Sequence, residues 1–137
     1  MNTKKVFALF AVLMLAALMA ACGGSAGPEP VSLSFSGFDE FRYDPTSATV
    51  PAGAQVTVNF TNEGALEHDW MLVAEGTDVN ALTAEMAVSP EAHSGVIASG
   101  ESNTFTFTAP AAGNYQIVCT VAGHAPAGMV AAFTVTQ

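Results

Sequence analysis

From Val31 onward the chain alternates apolar and polar positions with a period of two. Val31, Leu33 and Phe35 interleave with Ser32, Ser34 and Ser36, and Val56, Val58 and Phe60 interleave with Thr57, Asn59 and Thr61. Phe105 and Phe107 alternate with Thr104, Thr106 and Thr108, and Phe133 and Val135 with Thr134 and Thr136. Successive side chains of a strand point to opposite faces, so this pattern predicts half-buried strands. Pro51-Ala52-Gly53, Ser99-Gly100-Glu101 and Pro110-Ala111-Ala112-Gly113 supply turns between them, as in a small all-β sandwich or barrel.

One interval departs from that period. Thr77 or Asp78 stands where a helix cap belongs, Val79, Leu82 and Met86 follow at helical spacing, and Ser89-Pro90 supplies a stop. A short helical flap is expected here, with Met86 on its apolar stripe as a packing residue rather than a ligand.

The first thirty residues follow a different logic. Lys4 and Lys5 precede an apolar run, residues 6–21, that ends in small residues before Cys22, the layout of an export signal. The run is short for a membrane-spanning helix. Leu18-Met19-Ala20-Ala21-Cys22 resembles a bacterial lipobox, with Met19 in place of the usual aliphatic residue; acylation of Cys22 and ordinary cleavage near Ala21 are both open. Residues 22–30, Gly- and Pro-containing with no apolar period, read as a flexible tether reaching about 30 Å when extended. The expected organisation is a lipoprotein-type signal peptide over 1–21, a tether over 22–30 and one domain over 31–137, exported to the outer face of the cytoplasmic membrane or the periplasm.

Charge narrows the partners. Of 137 residues, 12 are Asp or Glu and 3 are Lys or Arg, a formal net charge of −9. Two of the three cations are Lys4 and Lys5, so removing the N-terminus leaves an acidic domain with Arg42 as its one cation, unsuited to nucleic acid. Two cysteines in an exported chain would ordinarily suggest a disulfide. Here Cys22 has a use in processing and Cys119 lies in a metal-like spacing.

That spacing is the chemically informative part of the chain. Cys119-Thr120-Val121-Ala122-Gly123-His124-Ala125-Pro126-Ala127-Gly128-Met129 offers a thiolate, an imidazole and a thioether in one loop. Copper cycling between two oxidation states is served by two imidazoles, a thiolate and a long axial Met, so a second imidazole is required from elsewhere. His68, at the head of the stretch His68-Asp69-Trp70-Met71-Leu72-Val73, is the candidate. Tyr115, Ile117 and Cys119 share strand parity, which turns the thiol inward, and Gly123 and Gly128 permit the sharp turns that converge His124 and Met129 on it. Taken singly, Cys119 could be a small buried hydrophobe, Met129 a core residue and His124 an ordinary loop residue. Together with His68 they make a metal site. His93, just beyond the flap, reads as an exposed loop histidine, and Trp70 as core packing beside the site.

With these residues in view, the chain over 31–137 resembles the small blue copper proteins of the plastocyanin and azurin family (cupredoxins). Asn62-Glu63-Gly64, His68-Asp69-Trp70 and Gly113-Asn114-Tyr115 ahead of Cys119 stand in the family's order, and the Cys-x4-His-x4-Met spacing resembles that of auracyanins. The resemblance implies a Greek-key β-sandwich of about eight strands with one type 1 copper at one pole, held by His68, Cys119, His124 and Met129. Asp69 stands where the family commonly has Asn, a residue that ties the two ligand-bearing loops together; Thr120 is its expected partner. Glu67 stands where azurins have Gly, so no axial carbonyl ligand is carried over.

The implied function is one-electron transfer, not enzymatic catalysis, because four protein ligands leave no open position for substrate. Membrane-bound donor and acceptor complexes are expected to dock on apolar residues around His124, with the carrier monomeric and held to the membrane through Cys22. The alternative is an exported copper carrier that binds Cu(I) without redox cycling.

Overall fold

The computed structural model describes residues 27–137. The expected signal segment and Cys22 lie outside the described residues, so the organisation ahead of residue 27 is not addressed by it. Among the described residues no helix is long and apolar enough to cross a membrane.

Eight strands form, of which β1, β4, β6 and β8 lie where the period-two pattern places them: β1 Val31–Phe38, β2 Arg42–Asp44, β3 Ser47–Pro51, β4 Gln55–Asn62, β5 Met71–Ala74, β6 Ser102–Thr108, β7 Gly113–Val118 and β8 Val130–Thr136. They make two four-stranded sheets, ordered β2-β1-β4-β6 and β3-β8-β7-β5, a Greek-key sandwich. Register follows the apolar positions. Val31, Leu33 and Phe35 of β1 lie opposite Val56, Val58 and Phe60 of β4, and Val56 and Val58 lie opposite Phe107 and Phe105 of β6. A slip of one residue would turn each of these sets to water, so the core fixes the pairing. Phe35, Phe60, Leu72, Phe107, Ile117, Phe133 and Val135 close over the sandwich interior around Trp70, whose ring meets Phe35, Phe105, Phe107 and Phe133 at centroid distances of 5.3–6.3 Å. Each such fully buried side chain contributes about 1.5–3 kcal/mol.

The region between β5 and β6 corrects the expected flap. Its only helical turn is a single 3-10 turn, Ala84–Met86, and Thr83 ahead of it makes no side-chain cap. Thr77 and Asp78 spend their side chains locally instead: the Thr77 hydroxyl donates to the Ala74 carbonyl, and Asp78 Oδ1 accepts the backbone N–H and the side-chain amide of Asn80. Such bonds compete with helix propagation. Without a helix, residues 79, 82 and 86 share no face: Val79 and Leu82 pack against a small cluster of Met71, Val73, Val118 and Ala125, while Met86 is 40% exposed. Met86 is therefore not the packing residue its spacing suggested.

This irregular segment does structural work all the same. It runs antiparallel beside residues 68–73, with bridges Val73↔Ala87, Met71↔His93 and His68↔Ile97, and its backbone exchanges hydrogen bonds with Leu72, Trp70 and His68. Residues 68–73 are thus buried on both faces, Met71 and Val73 under the flap and Trp70 and Leu72 in the main core.

Candidate metal centre

The loop after β7 is a series of tight turns. His124 N–H donates to the Val121 carbonyl, Ala127 N–H to Gly123, Gly128 N–H to Ala125 and Met129 N–H to His124. Gly123 and Gly128 sit at φ +87° and +118°, a region that penalises a Cβ, which is the conformational need the sequence pointed to. Cys119 N–H donates to the Met129 carbonyl at 3.3 Å and closes the loop at its base.

Cys119 and Met129 are fully buried and His124 is 7% exposed, and the loop brings the Cys119 thiol and the His124 imidazole together at one pole of the sandwich. His68, fully buried, enters from the other side, anchored by paired backbone hydrogen bonds with Ile97. Its Nδ1 lies 3.2 Å from Nδ1 of His124, which lies 3.5 Å from Cys119 Sγ. The candidate donor atoms of His68, Cys119 and His124 all fall within 4.8 Å of one another.

The far edge of the His68 ring is held by a residue that no motif in the chain singles out. Nε2 donates to Asp39 Oδ1 at 3.1 Å, and the same carboxylate accepts the Ala65 and Leu66 amides at 2.8 and 3.1 Å. Those two amides, and then His68, hold the Asp39 carboxyl below the usual range. With Nε2 donating, Nδ1 of His68 carries the free lone pair toward His124 and Cys119. Gly64 makes the arrangement possible, since a Cβ there would clash with Asp39 Oδ1 and come 2.8 Å from His68 Nε2.

Asp69, also fully buried, ties the two ligand-bearing segments together. Its Oδ1 accepts Thr120 N–H at 2.6 Å and its Oδ2 accepts the Thr120 hydroxyl, the partner expected for it. A third donor is the departure: His93 Nε2 lies 2.8 Å from Asp69 Oδ2, with the His93 side chain 17% exposed. His93 is therefore not the free loop histidine its surroundings suggested. The bridge to Met71 places it beside Asp69, a pairing across 24 residues that no local pattern announces.

Electrostatics favour a protonated Cys119 thiol and a neutral His124 imidazole. Burial, reinforced by the Asp69 carboxylate, pushes the Cys119 thiol up to about 12, against backbone N–H groups of Asp69 and Val121 that favour its anion. Burial and the neighbouring His68 push His124 down, so its ring stays an acceptor. Tyr43 is driven well above its ordinary value by burial and donates its hydroxyl to the Asp69 carbonyl at 2.6 Å.

The donor set fits a soft or borderline metal such as copper: two imidazoles and a sulfur converge in a buried pocket, and a cation there would compensate the thiolate that burial alone disfavours. Sequence reasoning also missed Phe41, which at φ +54° lays its ring 4.9 Å from that of His124.

Comparison with known proteins agrees with this chemistry. A family model described as copper binding proteins, plastocyanin/azurin family, matches residues 31–136. Auracyanin-A of Chloroflexus aurantiacus is 34% identical, over 90% of this chain and 93% of that protein. The solved structure of auracyanin A from that organism, titled a "blue" copper protein, superposes with TM-score 0.67 at 31% identity, covering 78% of this chain and 99% of the other. Dithionite-reduced auracyanin from Roseiflexus castenholzii gives TM-score 0.64 at 28% identity over 77% and 97% of the two chains.

Proposed function

The chain belongs to the plastocyanin/azurin family of copper-binding proteins, and on that footing we propose that it is a type 1 copper electron carrier whose metal is held by His68, Cys119, His124 and Met129. The observation that carries this reading is the convergence of two histidine Nδ1 atoms on a buried, unpaired cysteine. Bound copper supplies a one-electron couple between Cu(II) and Cu(I). The protein supplies a rigid cage. Asp39 fixes the His68 ring, Asp69 fixes the Cys119 end of the loop, and the chain of turns from Val121 to Met129 fixes His124. A cage built from two sheets and cross-braced in this way resists rearrangement as the charge on the site changes, which is what fast electron exchange requires.

Met129 would complete the set as a thioether donor. Its side chain is fully buried, and its terminal methyl rests where Gly37 leaves room, since a Cβ at Gly37 would come 3.1 Å from it. Four protein donors around one ion leave no position for a substrate, so the site transfers electrons and does not act as an enzyme.

The exit lies at His124, a buried residue in the loop that carries the exposed Ala122, Pro126 and Ala127. Small apolar residues around a redox ligand suit brief docking with membrane-bound donor and acceptor complexes. Lys4, Lys5, the apolar run before Cys22 and the tether after it support an exported monomer held at the outer face of the membrane, or in the periplasm, by lipid on Cys22.

Copper loading tests the site. The oxidised protein should show an intense blue thiolate-to-copper band that bleaches on reduction, and Cys119→Ser should abolish it; a protein that binds Cu(I) tightly but stays colourless after oxidation would be a copper carrier. Docking is tested separately by Ala127→Glu, which should slow electron exchange with a membrane preparation while leaving the copper spectrum intact. Unchanged exchange would remove His124 as the exit.

A further inference from the structure

The buried Asp69 carboxylate stands out for the company it lacks. Among the described residues the only Lys or Arg is Arg42, and its guanidinium lies over the Phe38 ring at 4.0 Å. A buried carboxylate without a compensating donor is costly, and this one lies beside a sulfur that must itself become an anion to hold a metal. What faces it is Thr120, through N–H and hydroxyl, and His93, through Nε2 at 2.8 Å. Thr120 follows Cys119 directly and Asp69 follows His68 directly, so the carboxylate spans the two segments that carry the site's ligands.

We propose that His93 is a positioning residue for the copper site: by donating to Asp69 Oδ2 it holds the carboxylate on Thr120 and draws its negative charge away from the Cys119 sulfur. The backbone supports such a role. Residues 92–94 are tied to β5 and the residue before it, with Leu72 N–H donating to the Ala92 carbonyl and Ser94 N–H to the Trp70 carbonyl, so His93 is presented from a fixed frame. The hydroxyl of Ser94 also accepts the Trp70 N–H at 2.9 Å. With His93 in place, Oδ2 has two donors, the Thr120 hydroxyl and His93 Nε2, while Oδ1 has the Thr120 N–H. Without it, Oδ2 keeps only the Thr120 hydroxyl, and the charge beside the sulfur is less compensated. Negative charge near the site favours the more highly charged metal ion, so removing the His93 donor should lower the reduction potential.

The inference rests on the copper reading, and its test separates the two. In the full chain loaded with copper, His93→Ala should lower the midpoint potential, and His93→Gln, which restores an N–H donor, should recover at least half of the shift. In the Asp69→Asn background His93→Ala should leave the potential where Asp69→Asn alone puts it, because the carboxylate through which His93 acts is gone. In the metal-free protein, amide exchange at Thr120 should be about tenfold faster in His93→Ala than in the wild type, the loss expected from loosening one charge-assisted hydrogen bond. A His93→Ala protein with unchanged potential and unchanged Thr120 exchange would overturn the proposal, as would a His93→Ala shift that persists undiminished in the Asp69→Asn background. If His93→Ala does not fold, His93→Phe, which fills the same space without a donor, takes its place in both backgrounds, and wild-type potential and Thr120 exchange in that variant would overturn the proposal. A wild-type protein with no reversible copper couple would instead count against the copper reading, while Thr120 exchange would still report on the His93 link.

Discussion

Asp39 and His68 are 29 positions apart, yet their contact sets which nitrogen of the His68 ring faces the site. A carboxylate accepting the distal N–H of a ligand imidazole makes the other nitrogen a stronger donor and so favours the higher oxidation state of a bound metal. Asp39→Asn keeps the shape and can still accept the His68 proton through its carbonyl oxygen, but removes the charge. The expected outcome is a copper-loaded protein that keeps its blue band and has a raised midpoint potential by voltammetry; a lowered or unchanged potential would show that the carboxylate's charge does not reach the site. The chain offered no signal for Asp39, because the residue stands in a β1–β2 connection with an ordinary polar composition and acquires its role only when that turn folds over Gly64. Cys119 and His124, which the structure brings together, were legible for the opposite reason: one loop carries them, so spacing and residue type determine most of their geometry. His68 lay between these cases, placed by strand parity on the right face but with nothing in the sequence to say how closely it meets His124.

Among the elements, strands with one face in the core and one toward water were legible from alternation, and β1, β4, β6 and β8 lie where it put them. The segment 68–73 was harder, since it is covered on both sides and its burial does not alternate. Its cover is the flap, where helical spacing misled because side chains of Thr77 and Asp78 close local turns in place of a helix cap. This difference can be measured. Met71, on the outer face of residues 68–73 and fully buried, should cost about 2–5 kcal/mol when replaced by Ala, whereas Met86→Ala, on the exposed 3-10 turn, should change stability by less than about 0.5 kcal/mol. Urea unfolding of the two metal-free variants compares them; equal losses would mean that the flap packs as the helix first expected. The same flap brings His93 to Asp69, so an element with almost no regular structure braces both the sheet and the site.

For the whole molecule, the sandwich serves to hold two segments at one pole. Val118 of β7 pairs with Val130 of β8, so the ligand loop leaves and re-enters adjacent strands of one sheet, while His68 lies just ahead of β5 on the other side of β7. The flanking strands β5, β7 and β8 all belong to the β3-β8-β7-β5 sheet, and the flap locks β5, the outermost of them, from its free edge. A site framed in this way can accept and release an electron without moving its ligands, and that is the central claim. Voltammetry of the copper-loaded protein tests it most directly. The expected result is a reversible one-electron wave, with closely spaced oxidation and reduction peaks, that disappears in Cys119→Ser; an irreversible wave, or loss of copper during the first oxidation or reduction, would show that the ligands move.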